Sequence, residues 1–186
     1  MKFKLERSPE FLELCERLKT IENLDAAKAA APPTFALDGD RRGRVFEYLL
    51  KFYSDKIAYS IGARPLSVAL DSGPLAPYKL EERHGQIFLI TPRRDFEFDA
   101  AYRFAESQLW ILEGKIGKAS LLRQKLIQVF GELMQKGLKI TYAHVKPKEL
   151  YDRIISSGGT PRFDKMNGIL TYLPISYEKL ERFPNV

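Results

Sequence analysis

The residues of this chain whose types and spacing could do chemistry begin with Gly114-Lys115-Ile116-Gly117-Lys118-Ala119, which stands directly before an amphipathic run. Small residues at a helix N-terminus let backbone N–H groups approach a phosphate closely, and the helix dipole adds roughly 0.3–1 kcal/mol of attraction for an anion. Lys115 and Lys118 would bring charge to the same place. The alternative reading of these residues is a tight turn into a helix, with both lysines solvated.

His144 closes a run in which Leu138, Ile140 and Tyr142 share its face, so it is a candidate general base, with a structural histidine as the alternative. Glu113 and Glu106 are candidate bases if residues 109–112 form a strand bordering a cleft, because partial burial raises a carboxyl toward the working range. Tyr142 and Tyr151 are candidate acids or core residues with the hydroxyl at an edge. Arg93-Arg94 follows an apolar run and could meet a phosphate, while His84 sits in a charged turn. Trp110, the sole tryptophan, reads as a buried residue.

Other chemistries find little support. Cys15, His84 and His144 are the only cysteine and histidines, too few for a zinc set, and no carboxylate cluster stands out, so no metal site is expected. Cys15 falls in an apolar helical pattern and has no cysteine to pair with. A Ser/His/Asp order, a Walker loop and a deaminase zinc motif are all missing, which argues against hydrolase and nucleotide-triphosphatase readings.

The elements that must position these groups follow from periodicity. At 45% hydrophobic and 29% charged, 186 residues suffice for one well-buried domain, 1–186. The net charge of +6 and pI near 9.3 favour anionic partners without forming a dense basic block. No long apolar stretch occurs, so neither secretion nor membrane insertion is expected, and the cytoplasm is the default compartment. Phe3 and Leu5 suit a short strand, Ser8-Pro9 opens a helix to about residue 21, and Ala-Pro-Pro ends a connection over 26–33. A second helix carries Val45, Phe46, Leu49, Leu50, Phe52 and Tyr53.

Residues 57–61 and 66–70 read as a hairpin about Gly62-Ala63-Arg64-Pro65, and 86–91 is the strongest strand candidate. Residues 93–113 suit a helix through Ala101, Tyr102, Ala105, Leu109 and Leu112, and also a strand at 109–112. A helix over 118–136 stops at Gly137, a strand covers 138–145, and Pro147 opens a helix with Leu150, Tyr151, Ile154 and Ile155 inward. Met166-Asn167-Gly168 marks a closing hairpin.

This order of elements resembles the GNAT family of N-acetyltransferases along nearly the whole chain. In that family an Arg/Gln-x-x-Gly-x-Gly/Ala loop holds the pyrophosphate of acyl-coenzyme A; here Gly117-x-Ala119 fits its second part and Gly114 replaces the Arg or Gln. The family's fourth-helix pattern, aligned on Gly158, places Pro147 at the asparagine, Leu150 at the alanine, Ile154 at the tyrosine and Gly159 at the phenylalanine, so the usual general acid is absent and Tyr151 lies three residues away. Small GNAT-like proteins of tailed phages are also similar, through Ile61-Gly62-Ala63-Arg64-Pro65-Leu66, Gln86-Ile87-Phe88-Leu89-Ile90-Thr91 and the basic helix from Lys115.

The resemblance implies an α+β fold, a central mixed and mostly antiparallel sheet flanked by helices on both faces. It also implies an N-acyltransferase taking acetyl-CoA as donor and an amine as acceptor. The cofactor would sit on Gly114, Lys115, Ile116, Gly117, Lys118 and Ala119, with His144, Glu113 and Tyr151 as catalytic candidates. Two other expectations stand beside it: a catalytically silent GNAT-like structural or interaction protein of a phage, active in host cell or virion, and a nucleic-acid-binding domain using the positive charge.

Overall fold

Pro9 supplies the first turn of α1 (Pro9–Leu18), and Phe11, Leu14, Cys15 and Leu18 recur at the spacing that buries one helical stripe. The computed structural model describes residues 5–31, 41–65, 78–83, 86–105, 107–117, 124–157 and 168–183. Phe3 therefore lies outside the described residues, while Leu5 is buried and the Glu6 amide donates to the Ile140 carbonyl at 2.8 Å. A short helix, α2 (Asp25–Ala29), interrupts the expected connection and tucks Ala27 into the core.

Helix α3 (Arg41–Ile61) absorbs residues 57–61, which the sequence reading assigns to a hairpin strand. Leu50, Ser54, Ile57 and Ala58 are buried at steps of three and four, so the apolar run extends a helical stripe, and Gly62 at φ 98° takes the left-handed turn that ends it. The expected partner strand at 66–70 lies outside the described residues. A two-residue strand β1 (Arg64–Pro65) follows, then β2 (Lys79–Arg83), β3 (Gln86–Ile90) and β4 (Asp95–Phe98), which form an antiparallel sheet in that order.

Residues 93–113 resolve into strands, β4 together with the hairpin of β5 (Ala100–Phe104) and β6 (Gln108–Gly114). Helix α4 (Gln124–Gln135) leads to β7 (Lys139–Pro147), then α5 (Lys148–Ser156), β8 (Ile169–Leu173) and α6 (Tyr177–Arg182). Gly137, at φ 95°, supplies the expected stop after α4. The main sheet runs β1-β5-β6-β7-β8, antiparallel up to β6 and parallel from β6 to β8. The fold is α+β, a mixed sheet with helices on both faces.

Period-2 alternation splits the core in two. Trp110, Leu112, Ala143 and Val145 face α1 and α3, whereas Leu109, Ile111, Ile140 and Tyr142 face α4 and the smaller sheet. Tyr102 ties α3 to β5 through its buried hydroxyl, which bonds Ser54 Oγ at 2.6 Å and donates to Asp55. Tyr102→Phe should cost about 1–2 kcal/mol in urea unfolding, because it removes the buried hydroxyl that joins Ser54 and Asp55.

Helix α5 departs from its expected packing: it buries no residue fully, and Ile155 is 55% exposed. It packs on β7 and β8, with the Tyr151 and Tyr172 rings 4.7 Å apart, and Leu150, Tyr151 and Ile154 are half-buried. The first arm of the expected closing hairpin lies outside the described residues, and β8 itself pairs in parallel with β7. Among the described residues no helix is long and apolar enough to cross a membrane.

Candidate active site

The β5–β6 ladder pairs Ala100 with Leu112, and one further step sets Asp99 beside Glu113 at the end where β6 stops. Two residues after Glu113, and so on the same face, comes Lys115, whose Nζ stands 3.7 Å from a Glu113 oxygen. In the parallel ladder with β7, Glu113 pairs with His144. Glu47 reaches the same cleft from α3, and the smaller sheet closes it with Phe88, Glu97 and Phe98. The cavity measures about 520 Å³.

Gly114 decides how closely α3 can approach. A Cβ there would lie 3.1 Å from Leu50 Cδ2 and 3.1 Å from Phe46 Cδ1, the residue beside Glu47. The absent side chain thus lets the helix bring Glu47 to the strand end. Gly114→Ala should cost about 1–3 kcal/mol by overpacking and should displace Glu47. Gly117→Ala is the control, since nothing lies within 4 Å of a Cβ at that position. Urea unfolding of the two variants checks the contrast.

The electrostatics single out the carboxylates. Burial, then the neighbouring Asp99 charge, raises Glu113 to about 8. Burial raises Asp99 to about 6, although its Oδ2 accepts the Gly114 amide at 2.7 Å, and burial with Asp99 nearby raises Glu47 to about 7. Lys115 answers them: burial alone would lower it, but Glu113, Asp99 and Glu47 hold its ammonium above the ordinary lysine range. Each acid is made reluctant to ionise by confinement and by its neighbours, and a cation among them removes that reluctance.

His144 is neutral here. Burial, with Lys146 and Lys115 close by, lowers it to about 3, so at neutral pH it is a weak proton acceptor, and the base role suits Glu113 better. Lys146, fully buried on the same face of β7, is lowered to about 8 by burial and Lys115, and it donates to the Gly117 carbonyl at 3.3 Å.

No family model, curated protein or solved structure matches this chain. What the cleft can do follows from its own donors and charges.

Of the residues singled out in the sequence, Arg94, Glu113, Lys115, Tyr142 and His144 meet in this cleft. Tyr151 does not line it; its ring packs on Tyr172. Gly114 ends a strand instead of opening a loop, and its amide is already committed to Asp99, as that of Lys115 is to the Val145 carbonyl. The carbonyls of Ile116 and Gly117 accept from Tyr177 Oη and Lys146 Nζ. Lys118, Ala119, Glu106 and His84 lie outside the described residues.

Sequence reasoning missed Asp99 and Glu47. Only Glu113 and Lys115 carry a local signal: the apolar run 109–112 ends in Glu113-Gly114-Lys115, and on a strand an acid and a lysine two apart share one face.

Proposed function

We propose that this cleft binds a divalent cation and hydrolyses phosphodiester bonds in a nucleic acid. The observation that carries the reading is the convergence of Asp99, Glu113 and Lys115 at one end of the β5–β6 hairpin, with Glu47 brought in by α3. All the acidic donors are oxygens, the ligand type of hard cations such as Mg²⁺ or Mn²⁺. Among the described residues no three His, Cys, Asp or Glu side chains form a ready metal cage. Mg²⁺ is commonly held by one or two carboxylates while keeping waters and substrate phosphate oxygens as its other ligands, and Asp99 and Glu113 would supply two.

Asp99 and Glu113 are the residues that would hold the ion, and Glu47 lines the same cleft. When bound, the cation supplies Lewis-acid polarisation of the phosphoryl group and a more acidic water. The chain supplies the rest. The Lys115 ammonium, fixed beside Glu113, offers charge to the oxygens of a phosphorane-like transition state. The Gly114 amide keeps Asp99 oriented. The net charge of +6 draws a polyanion to an otherwise acidic cleft.

The test has two readouts. With Mn²⁺ or Mg²⁺ the protein should cleave bis(4-nitrophenyl) phosphate and a labelled oligonucleotide, and EDTA should stop both reactions. The same ions should raise the thermal midpoint, because a ligand at a hundredfold excess over its Kd contributes about 2.7 kcal/mol. A protein that neither cleaves nor is stabilised by the ion would sink the reading.

A further inference from the structure

A second cavity adjoins the acidic cleft. It measures about 470 Å³ and lies between the β3–β4 turn and α4, lined by Tyr78, Arg93, Arg94 and Lys125 among others. Arg94 and Phe96 line both cavities, so the two recesses adjoin at those residues. Their charge is opposite: carboxylates dominate the first, while three cations and the single acid Glu132 line the second.

The arginines stand on a hydrogen-bonded turn. Thr91 ties it four ways: its amide donates to the Arg94 carbonyl at 3.1 Å, its hydroxyl donates to the same carbonyl at 2.6 Å, and Oγ1 accepts the Arg94 amide at 3.1 Å and the Arg93 amide at 3.3 Å. The Arg94 guanidinium lies over the Phe96 ring, 4.8 Å from its centroid, at the junction of the cavities. Neither Arg93 nor Arg94 forms an ion pair with a described residue, and both are exposed on the hydrogen-bonded turn. A solvated arginine needs no such turn, whereas a phosphate-binding one gains from it, because less freedom is lost on contact.

We propose that the second cavity is the subsite for the nucleotide next to the scissile phosphate of a single-stranded polynucleotide, with its phosphate on Arg94, Arg93 and Lys125 and its base against Tyr78. This deepens the proposed function and rests on it. Recesses of this volume are of the size that encloses a small ligand, so they admit one unstacked nucleotide each and exclude a stacked duplex. The polarity follows too: one phosphate lies at the cation-seeking acids and the next lies among the arginines.

The experiment is fluorescence anisotropy in EDTA, with a labelled dinucleotide, an octanucleotide and a duplex, on the wild-type chain and on the Arg93→Ala/Lys125→Ala variant. Both residues are exposed, so unfolding curves should coincide and report an intact fold. The wild type should bind the octanucleotide at least tenfold more tightly than the dinucleotide. In the variant that gap should fall below threefold, and the log–log salt slope should drop by about 1.4, two cations at about 0.7 each. An unchanged gap and slope, or tighter binding of duplex than of single strand, overturns the proposal. Cleavage of bis(4-nitrophenyl) phosphate with Mn²⁺, run in parallel on the wild type, separates the two failures. Cleavage without length-dependent binding loses the subsite alone, and length-dependent binding without cleavage loses the catalytic reading alone.

Discussion

Glu113→Gln should lower phosphodiester cleavage at least about 100-fold and yet leave the protein more stable than wild type at pH 8. The two effects share one cause. Burial and Asp99 raise Glu113 from 4.5 to about 8, so the folded state holds this proton more tightly than the unfolded chain does. Stability from that difference is complete below pH 4.5 and drains away as pH rises through 8. At about 1.4 kcal/mol per unit, the displacement caps the loss near 5 kcal/mol, and because the Asp99 charge shares the penalty, a single substitution should return about 2–3. A neutral amide of the same shape never has to ionise. Urea unfolding at pH 4.5 and pH 8 should therefore show matched stabilities at the lower pH and a more stable variant at the higher. A variant no more stable at pH 8 would mean that Glu113 ionises freely and that the acids are not crowded.

Lys115→Ala should lose activity to a comparable degree, about 10²–10³ in rate, but shift stability the other way. Its ammonium lowers the pKa values of Asp99, Glu113 and Glu47, so its removal leaves three confined carboxyls with less compensation. At pH 8 the variant should be less stable by about 1–2 kcal/mol, a modest figure because the lysine side chain is 43% exposed. The pair of variants forms a discriminating set: activity falls in both, while stability at pH 8 moves in opposite directions. A structural ion pair would give losses of stability in both. Added Mn²⁺ should stabilise wild type strongly and Glu113→Gln weakly, since the substitution takes away a negative ligand.

Much of the scaffold was legible. The strand at 86–90, the helix after Pro9, the stop at Gly137 and the strand leading to His144 each carry a local signature, an N-terminal proline, a C-terminal glycine or a β-branched apolar run. What failed was a segment where two periods coincide: residues 57–61 are apolar enough for a strand, and only their register with Leu50 and Ser54 makes them helix. Residues 93–113 fit either state until cross-strand partners choose, and of the two readings the strand at 109–112 is the one found.

The site was half legible for a different reason. Glu113 and Lys115 are neighbours in sequence, and both drew attention, one as a base and the other as a phosphate contact. Asp99 becomes their partner only through hairpin register, and Glu47 only because Gly114 lets α3 close in. Neither relation leaves a mark within any short window of sequence.

Trp110 lies wholly inside the core on the α1 and α3 side of β6, its ring 4.9 Å from Phe104 and 5.5 Å from Phe11. As the sole tryptophan, it dominates the intrinsic emission of the chain, and it sits on the opposite face of the strand from Glu113. Its fluorescence is thus a gauge of whether α1 is docked, blind to what fills the cleft. A ligand seated on Glu113 and Lys115 should leave the spectrum unmoved, while loosening of the first helix should shift it to the red.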